Sequence, residues 1–296
     1  MALLPHHIAF VGYGEASQAF VEGCGSALSA QARAYDVKTD AAETREAKRF
    51  DYDRGGVRGC DSLAEAVDGA QLILSLVTAD EAQKAARQVA RHIPPGAIFC
   101  DMNSVAPETK LANAAVIEAA DAHYVDVAVM SPVHPALNNV PLLLAGPRSG
   151  QALEILKSLG FTKLRVIEGE VGRASAIKMI RSVMVKGLEA LTTECVLAAR
   201  RAGVYDEVIA SLNASWPGTD WGEKADYNLD RMMIHGLRRA AEMEEVAKTL
   251  ESLGTGATLT YGTIERQRAI GLMDVSSPPQ GLSQKIDHIL ERMTRE

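Results

Sequence analysis

Basic residues, cysteines and long apolar runs are all scarce in this sequence. Lys and Arg number 31 against 38 Asp and Glu, so the chain carries a net charge of −7. Because nucleic-acid binding usually requires a basic face, we expect no nucleic-acid partner. The four cysteines, Cys24, Cys60, Cys100 and Cys195, stand far apart without a CxxC pair. This usage indicates reduced, mostly buried thiols and predicts no metal site.

The longest apolar runs, such as "LILSLV" and "PLLLAG", are also short. They fall far below the ~18 residues that a membrane-spanning helix needs. The N-terminal "MALLPHH" has neither a basic segment nor a long apolar one, which argues against a signal peptide. We therefore expect a soluble, cytoplasmic protein with no membrane partner.

The first half of the chain alternates between strand-like apolar runs and helical patterns. The runs cover 8–12, 32–37, 72–77, 97–102, 124–129, 141–146 and 164–168, and the helical patterns cover 15–29, 41–50, 62–69, 80–93, 107–120 and 149–160. Near-continuous apolar strands are typical of strands buried on both faces. The alternation therefore predicts an α/β fold with a doubly wound, mostly parallel sheet.

The second half of the chain has helical patterns and no strand signal. These patterns cover 172–202, 204–214, 224–252, 256–271 and 280–294. A length of 296 residues favours two domains. We predict an α/β domain over residues 1–168 and an all-α C-terminal domain over 169–296.

A glycine-rich turn separates the first strand-like run from the first helical pattern. Its sequence, Gly12-Tyr13-Gly14-Glu15-Ala16-Ser17, matches the dinucleotide pattern G-x-G-x-x-G with a serine in place of the third glycine. Gly12 permits the turn, and Gly14 lets the backbone approach a pyrophosphate held by the N-terminus of the helix. The pattern predicts a Rossmann-type NAD(P)-binding domain, with these six residues against the cofactor.

Asp36 ends the second strand-like run, 22 residues after Gly14. An acid at this place accepts hydrogen bonds from the ribose diol and repels a 2′-phosphate, so we predict NAD as the cofactor. Arg33 and Lys38 lie nearby and could hold a phosphate, so NADP stays open. An ordinary solvated turn acid is the alternative interpretation of Asp36.

Two further segments begin at the carboxyl ends of strand-like runs, "LVTADEA" at 76–82 and "CDMNSVAPET" at 100–109. In doubly wound sheets the ligand lies outside these ends. Val77, Thr78 and Asn103 are therefore candidate cofactor ligands, and Ser104 is a candidate substrate ligand.

Four segments occur in order at the separations seen in a known group of enzymes: "IAFVGYGEAS", "CDMNSVAPET", "YVDVAVMSPV" and "GEVGRASAIKMIRS". Together they resemble the β-hydroxyacid dehydrogenase superfamily, which includes 6-phosphogluconate and 3-hydroxyisobutyrate dehydrogenases. The helical tail "HGLRRAAEMEEVAKTL" is similar to a less-studied, phosphogluconate-dehydrogenase-like branch. The resemblance covers the whole chain and is firmer in the first 190 residues. It implies an NAD(P)-dependent enzyme, a small-molecule carboxylate substrate and a homodimer formed through the helical domain.

The resemblance also implies a catalytic lysine. In the superfamily this lysine follows a glycine-rich turn on the first long interdomain helix and precedes an Asn by four residues. Here Lys178 follows Gly172, and Ser182 takes the Asn position. Positions i and i+4 share a helix face, so both could reach one substrate, and Arg181 adds a nearby charge. A surface lysine is the alternative interpretation.

Two departures from the superfamily pattern concern the substrate. The usual Ser-Gly-Gly carboxylate-binding segment reads Met130-Ser131-Pro132 here, and Pro132 has no backbone N–H to donate. Ser131 stays a candidate ligand. A second lysine in a later helix is missing, and Arg238 or Arg239 would replace it, because a guanidinium binds a carboxylate with two hydrogen bonds. Both arginines could instead be surface charges.

These residues predict an oxidoreductase that moves a hydride between a nicotinamide and a hydroxy- or oxo-carboxylate. Lys178 would act as the general acid and base. The departures put the usual small 3-hydroxyacids in doubt. Two alternatives stay open: an imine reductase, which shares the fold and usually lacks the lysine, and a dinucleotide-binding sensor without turnover.

Overall fold

A computed structural model describes residues 5–293, in which one mixed sheet organises the first half of the chain. Its strands are β1 (Ile8–Val11), β2 (Ala32–Tyr35), β3 (Arg58–Gly59), β4 (Leu72–Ser75), β5 (Ile98–Asp101), β6 (His123–Val129), β7 (Leu142–Ala145) and β8 (Leu164–Val166). The order across the sheet is β3-β2-β1-β4-β5-β6-β7-β8, and all neighbours are parallel except β6 and β7. The chain crosses from one side of β1 to the other between β2 and β4, so the topological switch point lies at the carboxyl ends of β1 and β4.

Both faces of this sheet are buried. Successive side chains of a strand point to opposite faces, and here both sets are apolar. Phe10 and Leu72 belong to one hydrophobic cluster, and Val11 and Ile73 belong to the other. The doubly wound fold predicted from the apolar runs is thereby confirmed.

Helices connect these strands. They are α1 (Glu15–Cys24), α2 (Ser26–Ser29), α3 (Ala42–Gly55), α4 (Leu63–Val67), α5 (Ala82–Val89), α6 (Pro107–Glu118) and α7 (Ser149–Ser158). The single helix predicted over 15–29 is wrong, because Gly25 adopts a φ of 61° and separates α1 from α2. The short strand β3 was not predicted, since two exposed residues give no apolar pattern.

The second half of the described chain is helical, as predicted. Its helices are α8 (Arg173–Ala202), α9 (Tyr205–Ser215), α10 (Trp221–Ser252), α11 (Thr258–Gly271) and α12 (Leu282–Met293). The chain divides into two compact units, the first ending at Met179 and the second beginning at Ile180. The division falls within α8, whereas the expected domain boundary at 168 lies in the segment before it. Within residues 5–293 the helices are too short or too polar to cross a membrane.

Candidate active site

Gly12 ends β1 in a conformation that favours glycine. Its φ is 84°, and a Cβ built on it would lie 2.5 Å from the carbonyl oxygen of Leu76 at the end of β4. Any side chain there would therefore push the turn away from the neighbouring strand. The glycine sets the tight turn that the dinucleotide pattern predicts.

The N-terminus of α1 is open. Gly14 occupies the N-cap position and has no side chain with which to cap the helix, and a Cβ added to it would meet no atom within 4 Å. The first backbone N–H groups of a helix have no partner within the helix, and they carry the positive end of its dipole. This end of α1, with Glu15 and Ala16 in its first turn, therefore fits a pyrophosphate.

Ser17 replaces the third glycine of the pattern. Its side chain is fully buried, and its hydroxyl donates to the carbonyl oxygen of Gly12 at 2.8 Å. A small residue thus satisfies the packing between helix and strand, and its hydrogen bond holds the turn closed.

Asp36 binds the glycine-rich turn directly. One carboxylate oxygen accepts the backbone N–H of Tyr13 at 2.8 Å, and the other accepts that of Lys38 at 3.0 Å. Tyr13 contributes only backbone to this edge, because its ring is buried against Phe10 and Tyr52. Burial, with the nearby Asp51 charge, raises the pKa of the Tyr13 phenol to about 12. Asp36 therefore lies beside the turn, where the spacing from Gly14 predicts it.

Asn103 joins the carboxyl ends of β4 and β5. Its side-chain oxygen accepts the Val77 N–H at 2.7 Å, and its amide donates to the Ser75 hydroxyl at 3.0 Å. Its own backbone N–H donates to Asp101 at 3.0 Å. The buried amide therefore braces two loops, while Thr78 in the first of those loops is exposed.

Lys178 meets this edge of the sheet from α8. The residue is half-buried, and its Nζ donates a hydrogen bond to the hydroxyl of Ser104. Ser104 directly follows Asn103. The first unit thus brings together the glycine-rich turn, Asp36, the two strand-end loops and Lys178 along one edge.

Three buried charges behind this edge were missed by the sequence interpretation. Asp101, Lys110 and Asp126 have side chains with no exposed surface. The Lys110 ammonium lies 2.9 Å from Asp101 and 3.5 Å from Asp126. A charged residue inside each of the apolar runs "AIFCDM" and "YVDVAV" was the available signal, because buried charges require partners.

The remaining predicted ligands are distributed over both units. In the first unit, the Ser131 hydroxyl donates to the carbonyl of Pro132 at 3.3 Å. In the second unit, Arg181 and Arg238 are exposed, and the buried Ser182 accepts a hydrogen bond from Lys186 at 3.2 Å.

Arg239, the alternative to Arg238 as a carboxylate ligand, has a partner of its own. It is buried and binds both carboxylate oxygens of Glu189, which also accepts from Gln267 at 2.9 Å. Its guanidinium therefore serves a carboxylate within the helical unit. Arg238 is the exposed member of the pair.

Comparison with known proteins adds independent information. Residues 7–162 match the NAD-binding domain of 6-phosphogluconate dehydrogenase, and residues 199–270 match a domain of unknown function, DUF1932. A conserved hypothetical protein from Sinorhizobium meliloti 1021 is 35% identical over 98% of this chain and 97% of its own, with a TM-score of 0.74. A conserved protein of unknown function, described as structurally similar to 3-hydroxyacid dehydrogenases, is 27% identical over 91% of this chain and 99% of its own, with a TM-score of 0.66.

The fold extends to a characterised enzyme. The 3-hydroxyisobutyrate dehydrogenase of Mycobacterium tuberculosis has a TM-score of 0.74 over 97% of this chain and 99% of its own, at 15% identity. That similarity concerns the fold alone, whereas the domain match covers more than half of the chain. The protein therefore belongs to the 6-phosphogluconate dehydrogenase-like family, within the β-hydroxyacid dehydrogenase superfamily.

Proposed function

We propose that the protein is an NAD(P)-dependent oxidoreductase of hydroxy- or oxo-carboxylates, with Lys178 as the general acid and base. One observation carries this proposal: the Lys178 ammonium binds the Ser104 hydroxyl at the edge of the sheet where the glycine-rich turn lies. A lysine on an ordinary amphipathic helix would extend into solvent. The family match supports the binding of a dinucleotide and gives no information about the lysine, which lies outside residues 7–162.

Lys178 would transfer the proton, and Ser104 would orient the lysine amine. In the oxidation, neutral Lys178 removes the hydroxyl proton of the alcohol, and in the reduction its ammonium returns that proton. Ser104 holds the amine in one direction through its hydrogen bond. A bound nicotinamide supplies the hydride acceptor or donor.

NAD is the proposed cofactor. The Asp36 carboxylate lies beside the turn and would repel a 2′-phosphate. Its two backbone hydrogen bonds hold it there, so the charge cannot swing away without loosening the turn. KM for NAD should be lower than KM for NADP in the same assay. The opposite order would contradict this assignment.

Ser131 in the first unit, and Arg181, Ser182 and Arg238 in the second, are each proposed as a substrate ligand within their own unit. The two arginines are exposed and carry the charge that a carboxylate requires. Pro132 removes one backbone donor from the neighbouring loop. We therefore expect a substrate other than the usual small 3-hydroxyacids.

The decisive experiment assays hydroxyacids with NAD and NADP, and oxoacids with NADH and NADPH, using wild type and Lys178→Ala. Removing the acid–base should lower kcat by about 10³-fold, because proton transfer by a positioned side chain contributes about 10²–10⁴-fold. Affinity for NADH, measured by its fluorescence, should change less than about threefold. Lys157→Ala, which removes an exposed lysine from α7, is the matched control and should leave both values unchanged.

Wild-type turnover in Lys178→Ala would show that the lysine is not the acid–base. Turnover of cyclic imines and none of the carboxylates would instead identify an imine reductase. Tight NADH binding with no turnover of either class would favour a sensor.

A homodimer is the proposed assembly. In the second unit, Ile180, Met184 and Leu191 follow one another at helical spacing along α8, and their exposed fractions are 50%, 64% and 65%. Apolar side chains this exposed on one helix face indicate a surface that another chain covers. The family resemblance, which implies pairing through the helical domain, supports a second copy of this chain as that partner.

A further inference from the structure

The buried charges of the first unit lie on two neighbouring strands. Asp101 of β5 and Asp126 of β6 are direct partners in the parallel register. Adjacent strands are about 4.8 Å apart, so two ionised carboxylates at this place repel each other strongly when water is excluded. Lys110 of α6 supplies the opposite charge to both. We call these three side chains the buried triad.

One side of the triad leads to Ser104. Asp101 accepts hydrogen bonds from Tyr124 at 2.6 Å and from Asn113 at 3.0 Å, and Lys110 also donates to its backbone carbonyl at 2.5 Å. The same carboxylate accepts the Asn103 N–H. Ser104 is the next residue after Asn103, so this hydrogen bond fixes the backbone of the loop that carries Ser104.

The other side of the triad leads to Lys178. Asp126 accepts the backbone N–H groups of Gly172 at 3.1 Å and Ser175 at 2.9 Å. Gly172 precedes α8 with a φ of 98° and has no side chain to cap the helix, so the strand carboxylate serves instead. Lys178 follows Ser175 by three residues, which is about one helical turn. The cap therefore sets the axial position and rotation of the turn that bears the lysine.

Lys110 is the common partner. The Oδ2 atom of Asp126 caps α8, whereas its Oδ1 atom has no hydrogen bond within residues 5–293 and lies 3.5 Å from the Lys110 ammonium. Without that cation, two adjacent carboxylates would repel each other in a site that excludes water. Asp126 would then shift away from Asp101, and its carboxylate would no longer hold the N–H groups of α8 in the same place.

We propose that the buried triad positions the Lys178 amine against Ser104, and that Lys110 and Asp126 are positioning residues of the active site. This inference rests on the proposed function for its effect on turnover. Neither residue would touch substrate or cofactor, because neither side chain has exposed surface. Each acts through the backbone that presents Lys178.

The test compares Lys110→Met, Asp126→Asn and Asp126→Ala with wild type. Lys285→Met is the matched control, since Lys285 is also buried and lies 2.8 Å from Asp226 and 2.9 Å from Asp230 in the helical unit. Three properties are measured: amide exchange of peptides covering residues 172–178, acetylation of Lys178 by acetic anhydride followed by mass spectrometry, and NADH affinity by fluorescence. None of the three requires a substrate.

In Lys110→Met we expect at least tenfold faster exchange in the first turn of α8 and at least a threefold change in the rate of Lys178 acetylation. NADH affinity should stay within about threefold, and Lys285→Met should leave all three properties at wild-type values. Asp126→Asn keeps an acceptor oxygen, so its exchange should be slower than that of Asp126→Ala. This order tests the capping of α8 by Asp126 even if Lys110→Met does not fold.

With a substrate in hand, Lys110→Met should lower kcat tenfold or more with little change in KM. Exchange and acetylation at wild-type rates in folded Lys110→Met and Asp126→Ala would overturn the positioning role. A wild-type protein that turns over no hydroxy- or oxoacid would end the proposed function, and the exchange and acetylation results would still decide the positioning.

Discussion

At the scale of single residues, Gly12 and Gly14 belong to one turn but have different tasks. Gly12 has a positive φ and lies against the carbonyl of Leu76, whereas Gly14 has a φ of −92° and open space where a side chain would begin. The first glycine is therefore required by the fold. The second keeps room for a ligand.

The two alanine substitutions should separate these tasks. Gly12→Ala should lower the free energy of unfolding by about 3 kcal/mol, because it adds backbone strain and a clash. Gly14→Ala should change it by less than about 0.5 kcal/mol. In Gly14→Ala, NADH affinity should fall at least about tenfold, because the new methyl group occupies the place of the pyrophosphate. Urea unfolding without cofactor and NADH titration measure the two effects, and equal stability losses in both variants would contradict this assignment.

Tyr13 and Asn103 have side-chain contacts that the sequence did not predict. The glycine-rich turn predicts Tyr13 as a cofactor residue; its ring lies in the core, and its backbone forms part of the turn. Asn103 stays a predicted cofactor ligand, and its amide also braces Val77 and Ser75, which its position in the sequence did not indicate. Position along the chain predicts which residues reach an edge. It does not predict which way each side chain points.

At the scale of elements, β5, β6 and the start of α8 are joined by charge. Burial by itself disfavours the ionised form of Asp101, but the Lys110 ammonium and the hydrogen bonds from Tyr124, Lys110 and Asn113 hold its pKa below the ordinary 3.8. A carboxyl whose pKa is lowered in the folded state stabilises the fold above its ordinary pKa. That contribution is lost as pH falls through the folded value.

Replacing Lys110 should therefore reverse the sign of this pH dependence. In Lys110→Met burial acts without the cation, so the pKa of Asp101 should rise above its ordinary value. The variant should lose about 3 kcal/mol of unfolding free energy at pH 7, as expected when one partner of a buried ion pair is removed. Part of this loss should disappear between pH 7 and pH 4, as the unpaired carboxyl takes up a proton.

Urea unfolding at pH 7, 5.5 and 4, followed by circular dichroism, measures this change. Lys84→Met is the control, since Lys84 is 61% exposed in its pair with Glu81 and should contribute less than about 0.5 kcal/mol at each pH. A stability difference between wild type and Lys110→Met that stays constant with pH would show that Asp101 is not stabilised by this charge.

At the scale of the whole molecule, the exposed apolar side chains of α8 bear on assembly. Ile180, Met184 and Leu191 lie on the second unit, which has its own hydrophobic core around Leu229, Met232 and other buried side chains. That core does not cover them. A second copy would bury this face through an interface of its own.

The oligomeric state tests that assignment. Light scattering should give twice the 31.7 kDa of one chain for the wild type. Met184→Asp combined with Leu191→Asp should give the single-chain mass, because two charges would be buried without partners in the interface. Phe50→Asp is the control, since Phe50 is 65% exposed on α3 of the first unit, and its replacement should leave the dimer intact. A wild-type protein with the mass of a single chain would contradict the proposed homodimer.

The sequence by itself determined seven of the eight strands, most of the helices, the glycine-rich turn and the place of Asp36. These features depend on local chemistry: apolar periodicity, the conformational freedom of glycine and spacing along a strand–turn–helix unit. Only the tertiary structure decided that Lys178 meets Ser104, that Asp126 caps α8 and that Lys110 holds two carboxylates together. Those contacts join residues 9 to 74 positions apart, and their energies depend on burial and distance in the folded chain.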